Sequence, residues 1–343
     1  MKKIFLLVSS LFILLSLNAQ GTKEDLNKQI YSGKEGKITA YISGPANMLE
    51  ALENAFEEDK GDVLDIVQMG CGPLRQRVWT EAQSGSINAD VFWGSDPLLY
   101  EALSKQDVLE YYIPKGYDKL ANRFQIDKPY TLVNERYGVV IYNSKKVVNE
   151  INSYYDLIDS VYKNQIVHAD PTQSATALAL IASLWNLEAP SGSYHKQLIE
   201  NGLYLAKKNS DVPSKIQEGE FIIGIAPHDA VWRLKKSAKK KGYTTPLEIC
   251  WPQEGAIAIQ RPVAISKNSA RFAINEELAK SFVDFLISPK AQNITKNFGF
   301  ISVLKDAELP IGIPENIKVI DINWDVLAET QNEINNDFEE LFK

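Results

Sequence analysis

Short apolar runs alternate along this chain with longer stretches in which apolar residues recur every three or four positions. Ile38 to Ile42, Val63 to Met69, Asp90 to Trp93, Gln165 to Ala169 and Phe221 to Ile225 are short and mostly apolar, and they predict buried parallel strands. Each is followed by a small or polar residue and a proline. The junctions are Ser43-Gly44-Pro45, Cys71-Gly72-Pro73, Ser95-Asp96-Pro97, Asp170-Pro171-Thr172 and Ala226-Pro227-His228. Proline fits the first helical position, where its missing N–H has no partner to lose. Strand, tight turn and helix, repeated five times, put the helix N-termini on the carboxyl edge of a parallel sheet. That edge is where open α/β folds hold ligands, and free N–H groups at helix starts suit anions.

The periodic stretches predict helices over Asn47 to Glu58, Leu74 to Ser84 and Leu98 to Lys105, with Gly61 and Gly85 as C-terminal stops. Tyr111 to Asp127 reads as irregular. Tyr130 to Asn143 predicts a strand with the β-branched centre Val139-Val140-Ile141. A second such strand, Ala256 to Ser266, is expected to break at Arg261-Pro262. Between these two lies a separate α/β unit with strands Gln165 to Ala169, Phe221 to Ile225 and Leu247 to Trp251, and helices Thr176 to Leu187 and Pro227 to Lys241. Helices Asn275 to Ile287, Pro289 to Phe298 and Trp324 to Phe342 close the chain. The fold class expected is α/β: two Rossmann-like lobes, 36–134 plus 263–343 and 143–255, joined by hinge strands near 135–142 and 256–262.

Composition changes this picture little. The chain has 343 residues, 45% hydrophobic and 24% charged, an ordinary globular mixture. The net charge of −7 argues against nucleic acid as a partner but not against a small anion, because a local site can oppose the global charge. The first residues add a destination. Lys2 and Lys3 precede the apolar run Ile4 to Leu17, and Ala19 suits a cleavage site, so residues 1–19 read as a secretory signal. No cysteine stands there to carry a lipid anchor. Cys71 and Cys250 fall in different lobes, and two free thiols are expected rather than a bond that would lock the cleft. The lysine run Lys235 to Lys241 ends a helix and reads as a solvated face.

Catalytic chemistry finds no set to work with. His168, His195 and His228 are the only histidines, there is no Gly-x-Ser-x-Gly elbow, and no Cys/His spacing suits a metal. The expectation is a binder, not an enzyme, with no cofactor and no resident metal.

Seven segments carry a resemblance. Gly36 to Tyr41, Ala89 to Gly94, Tyr137 to Asn143, His168 to Thr176, Trp251 to Gly255, Phe285 to Gln292 and Asn323-Trp324-Asp325 resemble, in order, extracellular solute-binding proteins of ABC importers, in the branch for ferric ion, phosphonate and hexose phosphate. The resemblance implies a type-II periplasmic binding fold whose lobes close on ligand, a periplasmic monomer, and an ABC permease as partner; a sensing role would use the same fold. Ferric binders of this branch hold the metal with adjacent tyrosines at the junction that here reads Ile225-Ala226-Pro227-His228-Asp229, and the pair is absent. The chain is more similar to the hexose-phosphate binders, in which a His-Asp pair and a later Glu match His228, Asp229 and Glu254. A small anion, most simply a sugar phosphate, is the ligand implied, with a ferric chelate or a phosphonate as alternatives. Carboxylates accept from sugar hydroxyls, while phosphate wants donors. The phosphate end falls to Ser43, Gly44, Cys71 and Gly72 of the first lobe, and to Thr172, Ser174, Ala175 and Thr176 of the second. Ser95 and Asp96 suit the sugar end. Each has a plainer reading as a helix cap or first-turn residue. Trp93 and Trp251 read as core, and Arg75 and Arg77 as lying beyond reach of the ligand.

Overall fold

The computed structural model describes residues 36–187, 190–320 and 322–343. The expected signal segment, 1–19, lies outside the described residues. The sheet is built from strands β1 (Ile38–Ile42), β2 (Leu64–Gln68), β3 (Val91–Trp93), β4 (Thr131–Asn143), β5 (Ile166–Ala169), β6 (Tyr204–Ala206), β7 (Ile223–Pro227), β8 (Leu247–Cys250), β9 (Ala256–Ile265), β10 (Ile301–Ser302) and β11 (Val319–Ile320). Their order is β2-β1-β3-β9-β4-β7-β5-β6, with β8 and β10 also on β4 and β11 on β9. Within β2-β1-β3 and within β7-β5-β6 the pairing is parallel; β1, β3, β5 and β7 are buried, whereas β2, expected to be buried, and β6 are half-exposed edge strands.

The two long strands in the middle belong to both halves. β4 and β9 pair antiparallel from Thr131↔Val263 to Gly138↔Ile257. The expected break at Arg261-Pro262 does not occur. Pro262 lies opposite Leu132, where the register shifts between Leu132 and Asn134. A bulge disrupts the ladder there, so the missing proline N–H costs little.

Helices cover both faces: α1 (Ala46–Glu57), α2 (Cys71–Gln83), α3 (Pro97–Ser104), α4 (Ala175–Leu184), α5 (Ser193–Glu200), α6 (Asp211–Glu218), α7 (His228–Lys240), α8 (Phe272–Leu286), α9 (Pro289–Lys296) and α10 (Trp324–Glu340). Each half of the sheet has apolar core on its two faces. Met48, Leu52, Phe56, Phe282 and Leu286 fill one side of β1–β3, and Leu74, Val78, Leu99 and Leu103 the other. α4 is nearly all apolar and buried, between β9 and α10, and α10 packs on both α3 and α4.

The five prolines do less uniform work than their spacing implied. Only Pro97 holds the first helical position. Pro45 and Pro227 are N-caps, Pro73 is the third residue of α2, and Pro171 lies in the turn before α4. All precede the point where an intrahelical N–H is needed, which is why proline is tolerated at each. α2 starts three residues before the expected Leu74, so Cys71 and Gly72 sit in its first turn. β6, α5 and α6 were not foreseen, nor were the single 3-10 turns Tyr117–Lys119 and Asn122–Phe124 inside the irregular stretch.

Candidate functional site

Helix starts from both halves of the sheet converge on one cavity of about 700 Å3. Its first wall is the β1–α1 turn (Ser43, Gly44, Pro45) and the β2–α2 turn (Gln68 to Pro73). Its second is the start of α4 (Gln173, Ser174, Thr176) and the approach to α6 (Lys207 to Ser210). Arg136 of β4, Arg261 of β9, Asp229 and Arg233 of α7, and Phe300 complete the lining.

Arg261 anchors the floor. It is 1% exposed, with its guanidinium 4.5 Å from the Trp93 ring centroid and 4.3 Å from that of Phe300. It donates to the Ser43 carbonyl and, at 3.3 Å, to Asn134 Oδ1. Gly44 lets the turn approach this group: an added Cβ would lie 2.9 Å from Met48 Cε and 3.6 Å from Arg261 Nη2. Burial, then the neighbouring Arg136 charge, push the Arg261 guanidinium below its ordinary range. The Nε atoms of both Arg136 and Arg261 are buried without a hydrogen-bond partner among the described residues.

Asp229 is fully buried and ion-paired to two arginines: Arg136 Nη2 lies 2.6 Å from Oδ1, which accepts no well-aligned hydrogen bond among the described residues, and Arg233 Nη1 donates to Oδ2. Burial alone would raise its pKa, but the two guanidiniums outweigh it and hold the carboxyl well below the usual carboxylate range. On the far wall, Ser174 caps α4 by accepting from Ala177 N at 3.2 Å, and Asn209 Nδ2 donates to the same hydroxyl at 2.5 Å. Ser43 Oγ lies 2.9 Å from Cys71 Sγ. Both cysteines are free thiols, Cys71 half-buried and Cys250 buried.

The two walls meet at a seam. Thr176 Oγ1 donates to the Ser95 carbonyl at 3.0 Å. A Cβ on Gly72 would lie 2.5 Å from the Gln173 carbonyl oxygen. Beyond this seam is a second cavity of about 770 Å3, lined by Arg75, Trp79, Thr172, Ala175 and the amides of α10. The first cavity is the better anion site, because its buried guanidiniums have donors to spare, whereas Arg75 is already committed to Asp96 and Gln331.

Of the residues singled out from the sequence, Ser43, Gly44, Cys71, Gly72, Ser174, Thr176 and Asp229 line the first cavity, and Thr172 and Ala175 line the second. Four are placed elsewhere. Ser95 lends its carbonyl to the seam. Asp96 caps α3 through Leu99 N and receives both Arg75 bonds at 2.8–2.9 Å, so its lone pairs are spent within the protein. Glu254 accepts from Ser153 Oγ and from Tyr154 N at 3.3 Å, tying the start of a 3-10 turn (Tyr154–Ile158) to the β8–β9 connection. His228 is wholly buried, its Nδ1 accepting from Tyr137 N at 2.8 Å and its Nε2 facing the Gly299 carbonyl at 2.8 Å. The backbone N–H can only donate, so the ring proton belongs on Nε2. Burial pushes the His228 pKa down, consistent with that neutral tautomer.

This placement makes His228 a bridge between β4 and the β10 approach rather than a ligand contact. Replacing it by leucine orphans a buried N–H and a buried carbonyl. The expected loss is about 2 kcal/mol of stability in urea unfolding, with anion affinity changed far less. An equal loss of affinity with unchanged stability would return His228 to the ligand.

Sequence reasoning missed Arg136, Arg233, Arg261, Lys207, Lys208 and Asn209. For two of them a signal existed: an arginine inside an otherwise apolar strand is seldom buried without a purpose.

A family model described as bacterial extracellular solute-binding protein matches residues 86–330, and the chain belongs to that family. It is similar to the "Putative 2-aminoethylphosphonate-binding periplasmic protein" of Salmonella typhi, 22% identical over 274 residues, 76% of this chain and 77% of that protein. Among solved structures it is similar to the periplasmic binding protein AfuA from Actinobacillus pleuropneumoniae with exogenous fructose-6-phosphate bound. The TM-score is 0.76 at 23% identity, covering 90% of this chain and 99% of that one. The ferric binding protein from Campylobacter jejuni matches at TM-score 0.76 and 21% identity, covering 89% and 99%. The α/β fold with two lobes joined by paired strands is thus that of the type-II periplasmic binding proteins.

Proposed function

We propose, from this family membership, that the chain is the exported solute-capturing component of an ABC importer. It works as a monomer in the periplasm and holds a small phosphorylated anion, most simply a sugar phosphate. The lobes 36–134 plus 263–343 and 143–255 hinge about 135–142 and 256–262, and the closed form is what the permease recognises. The observation that carries the ligand class is the cavity's charge. Arg136, Arg233, Arg261, Lys207 and Lys208 face a single carboxylate, Asp229, which is itself spent on two of the arginines. Guanidinium forks and helix-start N–H groups are matched to phosphoryl oxygens.

The same lining weighs against the alternatives. Fe(III) prefers several anionic oxygen ligands, and the cavity offers no uncommitted carboxylate. The amine of an aminoalkylphosphonate wants a free carboxylate too. A sugar phosphate asks only for donors at one end and mixed polar groups at the other, which Ser43, Gln68, Ser174, Thr176 and Asn209 supply.

A thermal-shift panel tests this reading. Glucose 6-phosphate and fructose 6-phosphate are expected to raise the melting temperature, since a ligand that binds only the folded state stabilises it by mass action. Free glucose and spermidine are expected to do nothing. A rise with ferric citrate or spermidine alone overturns the proposal.

A further inference from the structure

The cavity holds its cations in two places, not one. Arg136, Arg233 and Arg261 cluster on the floor around Asp229. Lys207 and Lys208 stand on the rim, in the turn from β6 to α6. β6 is the third strand from β4 along the sheet. At about 4.8 Å per strand, the rim turn begins roughly 14 Å from the strand that carries Arg136. That main-chain spacing suits two anionic groups, one on the floor and one at the rim, better than one.

The rim lysines have no carboxylate of their own. Neither ammonium makes an ion pair among the described residues. Two carboxylates border this turn, and neither is in an ion pair with these lysines: Asp170, whose N–H bonds the Ala206 carbonyl, accepts from Thr172 N and Oγ1, and Asp211 accepts from Lys208 N. Asn209, next in sequence, points its amide at Ser174 Oγ at the α4 start of the same wall, and both residues line the cavity.

We infer that the natural ligand carries a second anionic group, held by Lys207 and Lys208 while the first sits on the floor arginines. The chemical class is a compact carbon skeleton with a phosphoryl group at one end and another phosphoryl or a carboxylate at the other. This rests on the anion reading of the same cavity.

Calorimetric titration of the mature protein with fructose 6-phosphate and fructose 1,6-bisphosphate, at one fixed ionic strength near 0.15 M, tests it. The bisphosphate is expected to bind at least about tenfold more tightly, as one added charge-assisted contact would give. In the double variant Lys207→Gln, Lys208→Gln that advantage disappears, the bisphosphate falling to the variant's own affinity for the monophosphate. Both side chains are exposed, so folding is not at risk. Equal binding of the two ligands by wild type overturns the inference. So does an equal loss of both ligands in the variant, which would mean the lysines only steer anions toward the cleft. If neither ligand binds wild type, the anion reading falls with it.

Discussion

Replacing Gly72 with alanine is expected to weaken anion binding by about a hundredfold and to leave the melting temperature of the ligand-free protein unchanged. Gly72 is the second residue of α2, where the backbone is helical and any residue fits. Alanine is the better helix former, so the helix itself loses nothing. The obstacle is across the seam. The added Cβ would meet the Gln173 carbonyl oxygen at 2.5 Å and its carbon at 3.2 Å. These are main-chain atoms in a turn fixed by Gln173 N and Ser174 N bonding to the Asp170 carbonyl, so no rotamer relieves the clash. The halves must stand apart, and a ligand then touches one wall at a time. Because ligand shifts the population only through contacts unique to the closed form, blocking closure removes that advantage. A cost of about 3 kcal/mol, at the upper end for overpacking, corresponds to the hundredfold loss. Calorimetry measures the affinity, and small-angle scattering with and without ligand measures the compaction. Wild-type affinity with wild-type compaction would mean that Gly72 and Gln173 do not define closure.

The seam was half legible in the sequence. Gly72 and Thr176 were marked for the ligand because each stands at a strand-to-helix junction, and both do face the cavity. That Gly72 meets Gln173, a hundred positions on, is a property of how the halves meet, and no local pattern encodes it. The same holds for the misplacements. Asp96 and Glu254 have the residue type and position of ligand contacts, yet Asp96 pairs with Arg75 and Glu254 with Ser153. Carboxylates near helix starts attract whatever donor the tertiary fold brings, and periodicity does not name it. The alternation of strands and helices along the chain depends on local rules that repeat, and most of it was readable. The charge of the floor depends on Arg136 and Arg261, single polar residues in β4 and β9. There the hydrophobic pattern reads as strand and treats a lone arginine as an interruption, as the expected break at Arg261-Pro262 illustrates. The rim lysines follow β6, a strand of three residues that is too short to announce itself.

Asp229 separates the two accounts of the cleft. If it reads sugar hydroxyls, as its likeness to a family pattern implied, Asp229→Asn should chiefly cost affinity. In the structure its oxygens belong to Arg136 and Arg233, so the variant should chiefly cost stability. Removing one partner of a buried ion pair strands the other charges, and a loss of about 3–5 kcal/mol is expected in urea unfolding. The pH dependence follows with a definite sign. The folded-state pKa is depressed, so this carboxylate contributes its full stabilisation above the unfolded value of about 3.9 and loses it as pH falls below that. Wild type should therefore lose stability more steeply than Asp229→Asn as pH drops below about 4. A phosphorylated ligand supplies negative charge to the same guanidiniums, and it should raise the melting temperature of Asp229→Asn by more than that of wild type. A smaller rise in the variant would instead make the carboxylate a direct reader of the ligand, and the floor would then be a mixed site rather than a cationic one.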